Sequence, residues 1–132
     1  MISDRFEVNN WNVLILYEVT CEDTDYVIEA LKDINCPSIF IKEAIDNIDS
    51  CNLNVGLTYS NMRLKSSVIV VSKASSKYQL MNTISHEYFH LISHISKALD
   101  IDDEEELANL NGELNMNSII FLDRYFGKVG LD

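Results

Sequence analysis

The segment from Lys77 to Leu99 constrains the fold most, because a helical repeat runs through the whole of it. Its apolar residues recur three and four positions apart and gather on one side of a helical wheel. Ser75 or Ser76 can cap the start of such a helix. The apolar set is Met81, Ile84, Tyr88, Leu91, Ile92, Ile95 and Leu99. The pattern predicts a long helix over 77–99 that packs one face against a core.

The chain before this helix indicates strands as well as helices. Asn12–Glu18 is apolar and rich in β-formers, which predicts a strand. Two helical repeats follow within residues 1–50, so this region is expected to be a scaffold of one strand and two helices. Residues 53–73 then predict a β-hairpin. The hairpin precedes the long helix, and a last helix is expected over 103–126.

This order of elements predicts the fold class. It is neither a repeated βαβ pattern nor a helical bundle, and it indicates an α+β fold with a small antiparallel or mixed sheet. The chain of 132 residues suits a single domain over 1–132.

The charge balance and the apolar runs limit the classes of partner. Asp and Glu number 21 against 10 Lys and Arg, which gives a formal net charge of −11. Such a chain repels phosphate backbones and anionic lipid, so we expect neither a nucleic-acid nor a membrane partner. No apolar run is long enough to span a bilayer. The sequence does not indicate an oligomeric state.

The three cysteines are Cys21, Cys36 and Cys51. Their odd number and the absence of a C-x-x-C pair argue against a disulfide framework and against a thiolate zinc site. We therefore expect three buried free thiols and a reducing, cytoplasmic location.

All three histidines lie in the predicted long helix, in the stretch "ISHEYFHLISHI". On a wheel, His86, His90 and His94 fall on the side opposite the apolar set, with Glu87 at its flank. This side is either an ordinary solvent face or the lining of a cleft. The pattern H-E-x-x-H favours the cleft, because two imidazoles one turn apart can bind one Zn²⁺ while the intervening glutamate serves as general base.

A catalytic zinc also needs a third protein ligand. His94 lies two turns beyond His86, about 12 Å along a straight helix, so it does not easily reach the same ion. The remaining candidates are carboxylates of the next helix, namely Glu104, Glu105, Glu106 and Glu113.

The stretches "NTISHEYFHLISHI" and "EEELANLNGEL" together resemble the active-site helices of gluzincin-type (HExxH + Glu) zinc metallopeptidases. In particular, they resemble the small predicted metallopeptidases of phages and bacterial mobile elements. The resemblance covers about residues 55–114 and implies a zincin-like fold. It places the third ligand at Glu105, with Glu113 as the fallback if the two helices form a straight hairpin. Glu105 has an alternative structural role, because with Asp102 it fits a capping box.

The resemblance implies one Zn²⁺ per chain, a peptide or protein substrate, and hydrolysis with Glu87 as the catalytic base. His94 is expected to support the site or to stabilise the oxyanion. Other oxyanion donors consistent with the sequence are Tyr59, Arg124 and Tyr125. A bacterial or phage-encoded cytoplasmic enzyme is the resulting expectation. The alternative is a non-catalytic zinc-binding or interaction domain.

Overall fold

The computed structural model describes residues 1–128, and side chains up to residue 124. Within residues 1–128, four strands and four helices follow one another. They are β1 (Ile2–Val8), β2 (Trp11–Val19), α1 (Thr24–Asp33), α2 (Ser38–Asp49), β3 (Gly56–Asn61), β4 (Ser66–Ser72), α3 (Lys77–Leu99) and α4 (Glu104–Lys128).

The strands form one mixed sheet in the order β1-β2-β4-β3. β1 is antiparallel to β2, and β3 is antiparallel to β4, with Ser60 opposite Ser67. The central pair, β2 and β4, is parallel. β3 is therefore an edge strand, and one side of its backbone is not paired within the sheet. This arrangement confirms the predicted α+β class with a small mixed sheet.

Helices cover both faces of the sheet. α1 and α2 pack on one face, whereas α3 and α4 pack on the other. The residues of β2 alternate between the two cores: Leu14 and Leu16 join the first, and Val13, Ile15 and Tyr17 join the second. A strand that is buried on both faces needs a continuous apolar run, which explains the stretch "VLILY".

The structure contains a strand that the sequence prediction missed. β1 forms a tight hairpin with β2 through Asn9 and Asn10, whose φ angles are 50° and 60°. Asparagine tolerates this left-handed conformation, and two such residues in succession are typical of a hairpin turn. Residues 1–50 therefore hold two strands and two helices, and the expected single strand was wrong.

The C-terminal helices largely follow the prediction. α3 spans Lys77–Leu99 as expected, and Ser76 caps it by accepting a hydrogen bond from the backbone N–H of Gln79. The proposed capping box of Asp102 and Glu105 was wrong. Asp103 caps α4 instead, because its Oδ2 accepts from the backbone N–H of Glu106 at 3.1 Å.

Two of the three cysteines also differ from the prediction. Cys21 and Cys51 form a disulfide that links the turn after β2 to the turn after α2. Cys36 is a buried free thiol, as expected. The prediction treated the odd number of cysteines as evidence against any disulfide. Three cysteines can, however, form one disulfide and leave one free thiol, as they do here. Disulfides are rare in the cytosol, so the cytoplasmic location loses its support and stays a prediction. No helix in the described part of the chain is both long and apolar enough to cross a bilayer.

Candidate metal and catalytic site

α3 lies beside the edge strand β3, and this contact positions the site. The apolar residues of α3 pack into the core that α3 and α4 form on one face of the sheet. Glu87 is buried with them, at 4% exposure, on the flank of the helix that faces β3. The side chain of His86 is 68% exposed, His90 is exposed, and His94 is half-buried. Exposure therefore varies across the histidine side of α3: His86 and His90 are exposed, and the side is buried at Glu87, where it meets β3.

The two histidines of the H-E-x-x-H pattern lie together. Nε2 of His86 and Nε2 of His90 are 3.3 Å apart, and the two rings are nearly perpendicular. Two nitrogens that share one tetrahedral zinc at 2.0–2.1 Å are separated by about 3.3–3.4 Å. This separation suits one shared metal ion, and it also allows a hydrogen bond between the two rings.

Glu87 is held by the edge strand. Thr58 Oγ1 donates to its Oε1 at 2.8 Å, while its Oε2 lies 3.9 Å from Nε2 of His86. One carboxylate oxygen is thus anchored to β3, and the other is directed toward the histidine pair. A buried carboxylate without such a partner would be costly, so the Thr58 hydroxyl both stabilises and orients the group.

Gly56 leaves the space that the Glu87 side chain occupies. A Cβ at this position would lie 2.9 Å from Cγ of Glu87 and 3.0 Å from its Oε2. It would also lie 3.0 Å from the backbone oxygen of Val70, which cannot move without disturbing β4. Only glycine fits beside Glu87 as the structure places it.

Ser60 extends this contact toward the end of α3. Its Oγ lies 2.7 Å from Nδ1 of His94. Partial burial lowers the pKa of His94, and the nearby His90 and Lys97 lower it further. His94 therefore favours its neutral form.

A cleft runs along the histidines. Its volume is about 280 Å³, and the α2 residues that line it are Phe40, Glu43, Ala44 and Asn47. The residues contributed by β3 and α3 are Gly56, Leu57, Thr58, His86, Glu87, His90 and His94. Glu43 and Glu87 are the two carboxylates among the described residues that line it. The three histidines and Glu87 therefore line this cleft, although His86 and His90 are also exposed to solvent.

The predicted third ligands lie elsewhere. Glu105 and Glu113 are exposed on α4, and neither lines the cleft. Within residues 1–124, no group of three or more His, Cys, Asp or Glu side chains is placed to hold a metal ion. The structure brings His86, Glu87 and His90 together but adds no carboxylate of α4 to them.

The other proposed oxyanion donors are not at the cleft. Tyr59 packs against Phe40, with ring centroids 5.1 Å apart, in the core beneath α2. Arg124 is exposed near the end of α4, and Tyr125 lies beyond the described side chains. Of the four candidates, His94 alone lines the cleft in the described structure.

Three residues of the site were missed from the sequence: Gly56, Thr58 and Ser60. They alternate along β3 and all face α3, whereas Leu57 and Tyr59 face the opposite core. The signal was present in the stretch "GLTYSN", where small and hydroxyl-bearing residues occupy every second position of a predicted strand. The alternation identifies a polar strand face, although not its partner.

Comparison with models of protein families, with curated proteins and with solved structures finds no match to this chain. The gluzincin resemblance therefore rests on the quoted residues alone.

Proposed function

We propose that the protein is a zinc-dependent metallopeptidase with a zincin-like active site. One observation carries the proposal: Nε2 of His86 and Nε2 of His90 are 3.3 Å apart, beside a buried Glu87 whose free oxygen faces them. Neither an ordinary solvent face nor a core helix requires a buried glutamate next to two converging imidazoles. The resemblance of the H-E-x-x-H stretch to gluzincins supports the same conclusion.

Two of the residues present, His86 and His90, suit a zinc ion in type and in spacing. His86 and His90 would hold it through their Nε2 atoms, with one ion per chain. When bound, zinc supplies Lewis-acid chemistry, in which it acidifies a water molecule and polarises the scissile carbonyl.

Glu87 performs the proton transfers in this proposal. Because Thr58 occupies Oε1, the proton of the attacking water is taken at Oε2. The water oxygen forms a bond to the carbonyl carbon, and the C–N bond breaks. Glu87 then delivers its proton to the departing nitrogen, so the carboxylate is regenerated and the amine leaves neutral.

The edge strand suits an extended peptide as substrate. β3 pairs only with β4 in the described sheet, which leaves one row of its backbone groups for an added strand. A peptide aligned there would lie near Glu87, since Thr58 in the middle of β3 contacts that carboxylate. Backbone pairing of this kind fixes the peptide while demanding little of its side chains.

The third ligand is the part of the site that the histidine geometry does not supply. The resemblance implies Glu105, with Glu113 as the fallback, and both remain proposals. The cleft itself offers Glu43 of α2, which lines it together with the histidines. Replacing each glutamate separately by glutamine distinguishes the three, because loss of a metal ligand lowers zinc affinity at an otherwise unchanged site. Asp46→Asn is the matched control for Glu43, since Asp46 is exposed on the same helix but does not line the cleft.

A non-catalytic zinc-binding or interaction domain is the second candidate. It is favoured by the absence, within the described side chains, of a preformed cluster of three ligands. A structural zinc site, however, gains nothing from a buried glutamate that is held by a hydroxyl and directed at the ligands. Glu87 is held by Thr58 and directed at the two histidines, and this arrangement supports catalysis over the alternative.

The test combines metal content with proteolysis. After purification without chelators, we expect near one zinc per chain in the native protein and in Glu87→Gln, loss in His86→Ala, and weakening in Glu105→Ala relative to Glu104→Ala. A casein or peptide-library digest should show cleavage by the native protein and none by Glu87→Gln. Equal cleavage by both would reveal a contaminating protease and overturn the proposal, whereas zinc binding without any cleavage would favour the second candidate.

A further inference from the structure

Hydrogen bonds connect the cleft to the centre of the sheet through four side chains. Trp11 Nε1–H donates to Ser67 Oγ at 2.8 Å. Ser67 Oγ lies 2.6 Å from Ser60 Oγ, and Ser60 Oγ lies 2.7 Å from Nδ1 of His94. Ser60 and Ser67 are register partners on β3 and β4, so sheet pairing itself sets the middle contact. Trp11 is fully buried and Ser67 is 2% exposed, which leaves this end of the line without access to water.

The donor and acceptor properties of the four groups determine which atom donates in each hydrogen bond. An indole N–H can only donate, so Ser67 accepts from Trp11. The hydrogen of the buried Ser67 hydroxyl then needs an acceptor, and Ser60 Oγ is its remaining partner in the described structure. The Ser60 hydroxyl in turn gives its own hydrogen to Nδ1 of His94. Nδ1 consequently acts as an acceptor, and the proton of the neutral ring resides on Nε2.

Nε2 of His94 is the ring nitrogen left for a ligand. No protein group of the described structure forms a hydrogen bond with this atom. Every buried side-chain nitrogen and oxygen of the described residues does have a hydrogen-bond partner, so Nε2 of His94 is not one of the buried atoms. The atom is therefore accessible to solvent, in a residue that lines the cleft with Glu87.

We propose that the Trp11–Ser67–Ser60 line fixes His94 as a neutral Nε2–H donor, and that this donor binds the substrate carbonyl oxygen as negative charge develops on it. The inference rests on the proposed function and deepens it. His94 is then a catalytic residue, whereas Ser60 and Ser67 are positioning residues that act through it. A donor whose orientation is set in advance stabilises an oxyanion most effectively, because no reorganisation accompanies the reaction.

The first arm of the test measures the tautomer and needs neither metal nor substrate. The chain has three histidines, so a long-range ¹H–¹⁵N spectrum of the metal-free protein contains three imidazole patterns, and His94→Gln assigns the relevant one. We expect the Nε2–H tautomer for His94 in the native protein. Ser60→Ala should shift the ring toward a mixture of tautomers, and Ser60→Thr should restore the native pattern. Ser66→Ala, which removes a neighbouring hydroxyl bonded to Leu64, is the control.

The second arm measures peptide cleavage with zinc content checked for every variant. Loss of an oxyanion donor lowers kcat by about 10²–10³-fold, so we expect this loss in His94→Leu with little change in KM. His94→Gln keeps an N–H donor and should retain more activity than His94→Leu. Ser60→Ala should lower kcat while leaving the zinc content unchanged.

The two arms separate failure of this inference from failure of the proposed function. A native His94 with its proton on Nδ1, or a tautomer that Ser60→Ala leaves unchanged, would refute the positioning role even if the protein is a peptidase. Full activity in His94→Leu would refute the catalytic role. A native protein that binds zinc and cleaves no peptide would overturn the proposed function, and the carbonyl-binding role of His94 with it.

Discussion

Replacing Gly56 by alanine tests the environment of the proposed base most sharply. The added Cβ would meet Cγ and Oε2 of Glu87 at 2.9 and 3.0 Å and the Val70 carbonyl oxygen at 3.0 Å. Glu87 is buried and hydrogen-bonded to Thr58, so it cannot move away without losing that bond. Gly56→Ala should therefore displace the carboxylate and strain β4 together.

The sign of the stability change follows from two opposing effects. Alanine is normally favoured over glycine within a strand or helix by about 0.5–1 kcal/mol. Overpacking a filled site costs about 1–3 kcal/mol, and an impaired bond to a buried charge adds to that cost. We therefore expect Gly56→Ala to lower the free energy of unfolding by roughly 1–3 kcal/mol. Gly112 provides the matched control, because a Cβ on it meets nothing within 4 Å, and Gly112→Ala should stabilise the protein by about 0.5–1 kcal/mol.

Urea unfolding followed by circular dichroism measures both changes. Combining Gly56→Ala with Glu87→Ala removes two of the three close contacts, so the cost of the glycine replacement should shrink in that background. In a peptide-cleavage assay, Gly56→Ala should also lose most activity while zinc content stays near native. The reasoning is refuted if Gly56→Ala stabilises the fold as Gly112→Ala does, or if its cost is the same with and without the Glu87 side chain.

Three further predictions concern the surroundings of the site. Reducing the Cys21–Cys51 disulfide, which closes a separation of 30 residues, should lower the free energy of unfolding by about 3–4 kcal/mol; a Cys51→Ser variant that is insensitive to reductant is the control. Thr58→Val should cost roughly 1–3 kcal/mol, because the buried Glu87 carboxylate loses its donor, and Thr58→Ser should recover most of this; equal unfolding midpoints for Val and Ser would contradict the role of the hydroxyl. Because the pKa of His94 is lowered in the fold, its contribution to stability is present above its ordinary pKa of about 6.5 and is lost as pH falls through the lower native value. Unfolding measured between pH 8 and pH 5 should accordingly show a shallower acid loss in His94→Gln than in the native protein, and parallel pH curves would contradict this.

The elements that could be predicted are those whose signals are local. α3 follows from apolar spacing over 77–99 and from the Ser76 cap, and both are visible within a few residues of the chain. His86 and His90 are one helical turn apart by sequence spacing alone, so their meeting required no knowledge of the fold. The same holds for the buried run of β2, which reflects its two covered faces.

The features that were missed depend on contacts between distant segments. β1 is an edge strand whose alternation is interrupted by Asp4, so its identity depends on pairing with β2. The Cys21–Cys51 bond joins segments that the α1–α2 pair brings together, which no spacing rule reveals. The contact of Glu87 with Thr58 spans 29 positions. Helix spacing placed Glu87 on the correct face, but only the packing of α3 on β3 shows which groups hold it.

The third zinc ligand is a feature that local sequence patterns do not identify. Asp103 rather than Asp102 caps α4, so Glu105 does not take part in a capping box, and it does not line the cleft either. An H-E-x-x-H helix indicates two ligands and a base, whereas the remaining ligand depends on how a second segment crosses the first. That crossing is tertiary packing, so it could not be predicted from either segment alone.

The central claim is that His86 and His90 share one zinc ion, and zinc titration against a chromophoric chelator tests it most directly. We expect the native protein to bind one Zn²⁺ per chain. His86→Ala and His90→Ala should each weaken binding by more than the roughly 10–100-fold that loss of a supporting residue costs. His94→Gln, in which both ligands remain, should keep the metal. Zinc affinity that is equal in the native protein, His86→Ala and His90→Ala would contradict the account, because the 3.3 Å pair of nitrogens would then bind nothing.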